Sequence, residues 1–453
     1  MQVVITKGPQ TYQVFQQENG CASVHLEGEI NDITEEFNHD SARILTLVTY
    51  ENSGSLALKP IFAEIGSDLK WKTDFKIKTG GPYNISVCVR SGEVGFSPMA
   101  YIKHVGVGDV FLITGQSNGS GTCFTTRSEK TSEKVCMFGL DGKWKTASHP
   151  LHDQTGTEYS EYRLQTYYSP WLKFAEILSD TLGYPIGLIP ASRGGVPISY
   201  FDETQDGRLF KNIRSIYKKS GTGLKGIIWY QGETDVGSTT YKEQFSRLCG
   251  QFEDMLGKTA PIFTVQINKQ LYVPPAQTVA FHSKKWAEFR EIQRQIMCEN
   301  DNVYMIPVLD LNVGDTIHNT YYSDVAIANR MADMVLSKLY SSVEVCESPN
   351  IYKAVAESDG SVTLYFKNVV DSITAEHAHF SLLPFVMYDG ENAFNLTGYE
   401  CPVNNTIKLK FSAPAKAGFK VGCSAENPLC LFPYDLITRL PIIPFEDFEL
   451  SER

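Results

Sequence analysis

Ser117, Asp315 and His318 are residues of the types that ester cleavage requires. In that reaction a hydroxyl attacks a carbonyl carbon and a base takes its proton. An acid orients the base, and donors hold the oxyanion. Ser117, in Gly115-Gln116-Ser117-Asn118, is the candidate nucleophile. His318 is the candidate base, because an imidazole of intrinsic pKa ~6.5 exchanges a proton near neutral pH. Asp315 stands three residues before His318, close enough on one loop or helical turn to hold its ring, with Asp310 and Glu233 as alternative acids. The Ser117 amide, a glycine amide from Gly194 or Gly195, and the side-chain amide of Gln231 are the candidate oxyanion donors. Glutamine is a neutral donor, which suits an oxyanion that exists only transiently. Gln116, Asn118, Arg193 and Glu233 are candidate substrate-binding residues.

These residues need a frame that brings them together. Val110–Ile113 is a short apolar run bounded by Gly108 and Gly115, the pattern of a buried strand whose closing glycine permits a tight turn. Further apolar runs cover 185–191, 224–230, 261–267 and 303–309. Helical spacing predicts helices over 170–182, 241–256, 283–298 and 325–340. Apolar runs alternating with helices predict a parallel sheet covered on both faces. The first run ends in Gly-Gln-Ser-Asn, the second in Ser192-Arg193-Gly194-Gly195, the third in Gln231-Gly232-Glu233-Thr234-Asp235, and the fifth in the segment from Asp310 to His318. In a parallel sheet such clusters gather at one edge, where ligands bind.

Outside this region the periodicity is that of short strands. Three regions are expected: 1–105, rich in strands; 106–341, α/β; and 342–453, strands again. The 453 residues carry a net charge of −11 without a basic block, which argues against nucleic acid or an anionic membrane as partner. No apolar run is long enough to suggest a membrane helix. The ten cysteines form no Cys-x-x-Cys pair, so reduced thiols and a cytoplasmic setting are expected, with a Cys423–Cys430 bridge as the alternative. His149 and His152 are expected to be loop residues rather than metal ligands, since no third ligand is obvious. Trp229 and Tyr230 suit either a sugar-pocket floor or the core. Asn84, Asn395 and Asn404 fit glycosylation patterns that arise by chance.

Gly-Gln-Ser-Asn, Trp-Tyr-Gln-Gly-Glu-Thr-Asp and Asp-x-x-His, in this order, resemble the sialate O-acetylesterase-like branch of the SGNH hydrolases. Arg290-Glu291-Ile292-Gln293 resembles that branch's Arg-Glu-x-Gln helix, and Asn427-Pro428-Leu429 with Leu440–Phe445 resembles the end of its long members. The resemblance implies an SGNH-type three-layer parallel-sheet hydrolase domain flanked by N-terminal and C-terminal β-sandwich-like domains. It implies a serine carbohydrate esterase that removes O-acetyl groups through an acyl-serine and needs no metal or organic cofactor. The family's nucleophile falls on Ser117, its oxyanion-hole residues on the Gly194-Gly195 pair and Gln231, and its Asp-x-x-His pair on Asp315 and His318. Asn319 stands where the family often has proline, and Gly119 where it often has methionine. Acetylated sialic acid is the substrate that the long form of the family implies. Acetylated xylan or mannan fits the same blocks. A non-catalytic glycan-binding protein, and a lipase or thioesterase on this fold, are the competing expectations.

Overall fold

Val110–Ile113 forms the inner part of a 16-residue strand, Ala100–Gly115. Val110 and Leu112 project to one face of the sheet and Phe111 and Ile113 to the other, and all four are fully buried. A strand covered on both faces is apolar throughout, which is why this segment reads as a continuous run. The structure is a computed structural model that describes residues 1–33, 37–90, 97–123, 125, 132–153, 167–271, 276–341, 346–376, 378–402, 404–423 and 431–452.

Parallel neighbours flank the strand. On one side lie Ile186–Pro190 and then Val135–Phe138. On the other lie Gly226–Tyr230, Ile262–Val265 and Val303–Ile306. Trp144–Thr146 closes the first edge in antiparallel pairing. Helices Arg208–Ser220, Tyr241–Leu256 and Ala276–Glu299 contribute to the core on the Val110 face, through residues such as Ile213, Phe245 and Phe289. Helices Pro170–Leu182 and Tyr321–Tyr340 cover the Phe111 face. The middle of the chain is therefore a three-layer α/β unit.

Pro170–Leu182 shows how sequence sets these helices. Proline occupies the first helical turn, where a missing N–H costs nothing, and Gly183 ends the helix in the left-handed region. Trp171, Phe174, Ala175 and Leu178 fall on one stripe and are buried. Each large apolar side chain so buried contributes roughly 1.5–3 kcal/mol. The helix also reaches the site, because Trp171 Nε1 donates to the Gly119 carbonyl at 2.7 Å. Arg208–Ser220 falls outside the helices expected from sequence. Its lysines and arginines dilute a stripe that Leu209, Phe210, Ile213 and Ile216 nonetheless form.

The N-terminal strands make two sheets with a shared core. Gln2–Lys7, Cys21–Asn31 and Lys70–Lys78 form one sheet. Arg43–Tyr50, Ile61–Ala63 and Gly80–Arg90 form the other, which joins the first half of Ala100–Gly115. Val24, Leu26 and Trp71 from the first pack with Ile44, Ile85 and Val87 from the second. The boundary drawn at 105/106 falls inside a single strand, whose Val105 pairs with Tyr83 and whose Asp109 pairs with Ile186. His104, at φ 57°, marks a bulge where the pairing with Gly80–Arg90 slips by one residue.

The C-terminal strands form an eight-stranded sheet. Phe448–Glu449 lies at one edge and Ser451–Glu452 at the other, so the buried Leu450 joins the two edges and the sheet curls back on itself. Within this region Phe380–Leu382 is a 3₁₀ turn, at whose start His379 accepts the Ser381 N–H. Ile442, Ile443 and Phe445 are buried, and the Pro444 carbonyl accepts a hydrogen bond from Gln266. The tail is thus extended and docked. The Cys423–Cys430 pairing and the Asn427-Pro428-Leu429 segment involve positions outside the described residues. No helix among the described residues is long and apolar enough to cross a membrane.

Candidate active site

The strand that ends at Gly115 feeds Ser117 into a single helical turn, Ser117–Ser120. Gly115 has φ 133°, and a Cβ there would stand 2.1 Å from the Tyr230 carbonyl. Only glycine allows this close crossing of adjacent strand ends. Ser117 Oγ lies 3.0 Å from His318 Nε2. His318 Nδ1 lies 2.8 Å from Asp315 Oδ2. Asp315 Oδ1 accepts the backbone N–H groups of Ile317 and His318, each at 2.7 Å. Partial burial pushes the Asp315 carboxyl up, but those two amides and the His318 ring outweigh it and hold the group below the usual carboxylate range. A serine hydroxyl donating to Nε2 leaves the proton of the neutral ring on Nδ1, facing Asp315.

The other acids have different partners. Asp310 forms a two-pronged pair with Arg330, with Nη1 donating at 2.8 Å. Glu233 accepts from Asn118 Nδ2 at 2.7 Å. Burial raises the Glu233 carboxyl, and the Asn118 hydrogen bond partly offsets this.

Three residues expected to bind substrate instead brace the site. Gln116, Asn118 and Glu233 are each at most 8% exposed. Gln116 Oε1 accepts the amides of Gly232 and Thr234, which ties the nucleophile turn to the next strand end. Asn118 donates to the Ile317 carbonyl and accepts the Asn319 amide, which ties the same turn to the histidine loop. Arg193 differs. Its backbone N–H donates to the Gly115 carbonyl at 2.9 Å, and its Nε is buried without an acceptor among the described residues.

The expected oxyanion donors divide in the same way. Gln231 is fully buried, and its amide nitrogen donates to the Val196 carbonyl at 3.2 Å and to Asp235 Oδ2. Both N–H bonds are therefore engaged within the protein, and donation to an oxyanion would require breaking one of them. The amides of Ser117 and Gly194 have no acceptor among the described residues, while Gly195 is exposed at φ 69°. Trp229 packs edge-on against Phe201 at 4.9 Å, and Tyr230 is fully buried under the Asn319 amide, so both belong to the core. His149 stacks on Tyr168 at 4.4 Å, and no cluster of metal-ligating side chains occurs among the described residues.

Other residues complete the frame. Asn268 Nδ2 donates to Asn319 Oδ1, and Gln293 bridges the Gln231 carbonyl and the Ile267 amide. Asn268 follows the fourth apolar run, so its place at a strand's carboxyl end was a usable signal. Asp324 is fully buried near Asn319, and burial raises its carboxyl well above the ordinary range.

Residues 107–337 match the family model described as carbohydrate esterase, sialic acid-specific acetylesterase. The chain is 29% identical to sialate O-acetylesterase of Homo sapiens over 210 residues, covering 36% of this chain and 38% of that protein. It is 25% identical to a probable carbohydrate esterase of Arabidopsis thaliana over 183 residues, covering 35% of this chain and 68% of that protein. The chain thus matches well under half the length of the human protein. In structure it is similar to a crystal structure described as a novel carbohydrate acetylesterase from Xanthomonas citri. That similarity has a TM-score of 0.64 at 18% identity and covers 98% of this chain and 99% of the other.

Proposed function

This chain belongs to the sialic acid-specific acetylesterase family of carbohydrate esterases, and from that premise we propose that it removes O-acetyl groups from acetylated carbohydrate through an acyl-serine intermediate. The observation that carries the proposal is the hydrogen-bonded line from Ser117 Oγ through His318 to Asp315. His318 takes the Ser117 proton as Oγ attacks the acetyl carbonyl, and Asp315 offsets the charge that develops on the ring. The Ser117 and Gly194 amides hold the oxyanion. The tetrahedral intermediate collapses as His318 returns the proton to the sugar oxygen, leaving an acetyl group on Ser117. Water, activated by the same histidine, then releases acetate.

We read Arg193 as a contact for the substrate, because its buried Nε faces no acceptor among the described residues. We also read residues 1–105 and 342–453 as β-sandwich-like domains that frame the sugar. The shared core of the two N-terminal sheets supports this for the first region.

Acetylated sialic acid is the leading substrate, and acetylated xylan and mannan are the competing ones. The test is acetate release from all three, alongside a chain-length series of p-nitrophenyl esters, with Ser117→Ala as control. Acetate release that is lost in Ser117→Ala supports the proposal. Preference for octanoate would point to a lipase, and absence of turnover on every substrate would point to a glycan-binding protein.

A further inference from the structure

His152 is fully buried, although histidine carries two polar ring nitrogens. Its Nε2 accepts the Ser192 backbone N–H at 2.9 Å. The ring lies beside the backbone of Ser120. Because Nε2 is an acceptor, the proton of the neutral ring sits on Nδ1. Ser120 ends the helical turn that begins with the nucleophile. Ser192 opens the turn that carries Arg193 and Gly194, and the Arg193 amide bonds to the Gly115 carbonyl. One imidazole thus anchors the loop that holds the Gly194 amide, and it does so beside the nucleophile turn.

We infer that His152 is a positioning residue for acyl transfer, setting the Gly194 amide against the Ser117 hydroxyl by holding the Ser192 amide. The inference rests on the esterase reading of the same site. Burial pushes the ring down to a pKa of about 3, so it remains neutral across the working range and Nε2 stays an acceptor for Ser192. Its role is not that of a metal ligand, since Nε2 is occupied by an amide and no ligating cluster surrounds it among the described residues. Nor is it a second base, since it lies out of solvent with Nε2 engaged by the Ser192 amide. An oxyanion donor acts through its exact placement, and a displacement of about 1 Å can lower a rate ~10²-fold.

The test compares wild type, Ser117→Ala, His152→Gln, His152→Asn and His152→Leu on p-nitrophenyl acetate, with thermal unfolding of each. Glutamine can reproduce the Ser192 link, because its carbonyl reaches about as far as Nε2 does. Asparagine is one carbon shorter and loses that link, and leucine has no acceptor at all. His152→Gln is expected to retain kcat within about threefold. His152→Asn and His152→Leu are expected to lose roughly 10- to 100-fold in kcat with KM unchanged. If leucine abolishes the cooperative transition, the Gln–Asn contrast still decides. Wild-type kcat in His152→Asn, or an equal loss in Asn and Gln, overturns the role of His152. Wild-type turnover no higher than that of Ser117→Ala overturns the esterase reading, and this inference with it.

Discussion

Asn118, the residue after the nucleophile, accepts the backbone N–H of Asn319, the residue after the catalytic-base candidate, at 3.2 Å. Its Nδ2 also donates to the Ile317 carbonyl and to Glu233. One side chain thus sets the spacing of Ser117 and His318 from both of their neighbours. Asn118→Ala is expected to lower kcat by roughly 10- to 100-fold at unchanged KM. It also leaves the buried Glu233 carboxyl without its donor, which is expected to cost about 1–3 kcal/mol of stability. Steady-state kinetics and denaturant unfolding check the two effects separately. Unchanged kcat would show that the loop holds its geometry without Asn118.

Ser117→Ala is expected to keep the fold and to lose turnover by several orders of magnitude, because Ser117 Oγ is the hydroxyl hydrogen-bonded to His318 Nε2. Intact mass after treatment with a fluorophosphonate checks the assignment directly. Wild type should gain one adduct and Ser117→Ala none, and an adduct on the mutant would move the nucleophile elsewhere.

The pH profile separates Asp315 from the other acids. The base must be unprotonated to accept the serine proton, so turnover falls on acidification. The Asp315 carboxyl is held below its ordinary range and stays ionised through that fall, so the limb is not its own titration. Asp315→Asn removes a charge that favours the imidazolium, which moves the acid limb to lower pH. The Asp315 side chain is 55% exposed, so solvent screening should keep that shift small. The plateau should fall further, by up to roughly 10⁴, because an amide can hold the wrong tautomer. Asp310→Asn should change neither limb nor plateau, since Asp310 pairs with Arg330. A plateau that survives Asp315→Asn would make Asp315 a bystander.

Glu446 makes stability depend on pH. Burial, with Asp447 nearby, raises its carboxyl from 4.5 to about 7. Between those values the native state holds a proton that the unfolded chain has released, so stability falls as pH rises from 4.5 towards 7. At 1.36 kcal/mol per unit the loss above pH 7 is roughly 3 kcal/mol. Glu446→Gln should therefore melt above wild type at pH 8 and close to it at pH 4.5. Calorimetry at the two pH values checks this, and an equal difference at both would exclude the titration.

The parts legible in sequence were those set by backbone pattern. The Val110–Ile113 run, its closing Gly115 and the stripe of Pro170–Leu182 are direct consequences of burial on two faces or one. The spacing of Asp315 and His318 allowed both to share one loop, as they do. Side-chain direction was less legible. Gln116, Glu233 and Gln231 stand at strand ends, where a change in φ and ψ decides whether an amide faces the cleft or the frame, and all three face the frame. The short strand Val135–Phe138 is four residues long, too short for its period to separate it from a loop. His152 reads as a loop residue because no local pattern reports the distant Ser192 amide that its ring accepts.

The bulge at His104 lies on the same strand as Gly115, and that strand pairs with Gly80–Arg90 up to Val107 and with Ile186–Pro190 from Asp109 onward. The two sets of strands therefore share one spine, and neither can slip in register without moving the other. Fraying of Gly80–Arg90 would loosen the anchorage of the strand that presents Ser117. Amide exchange in the N-terminal strands should then report on the steadiness of a hydroxyl that lies in a different layer of the molecule.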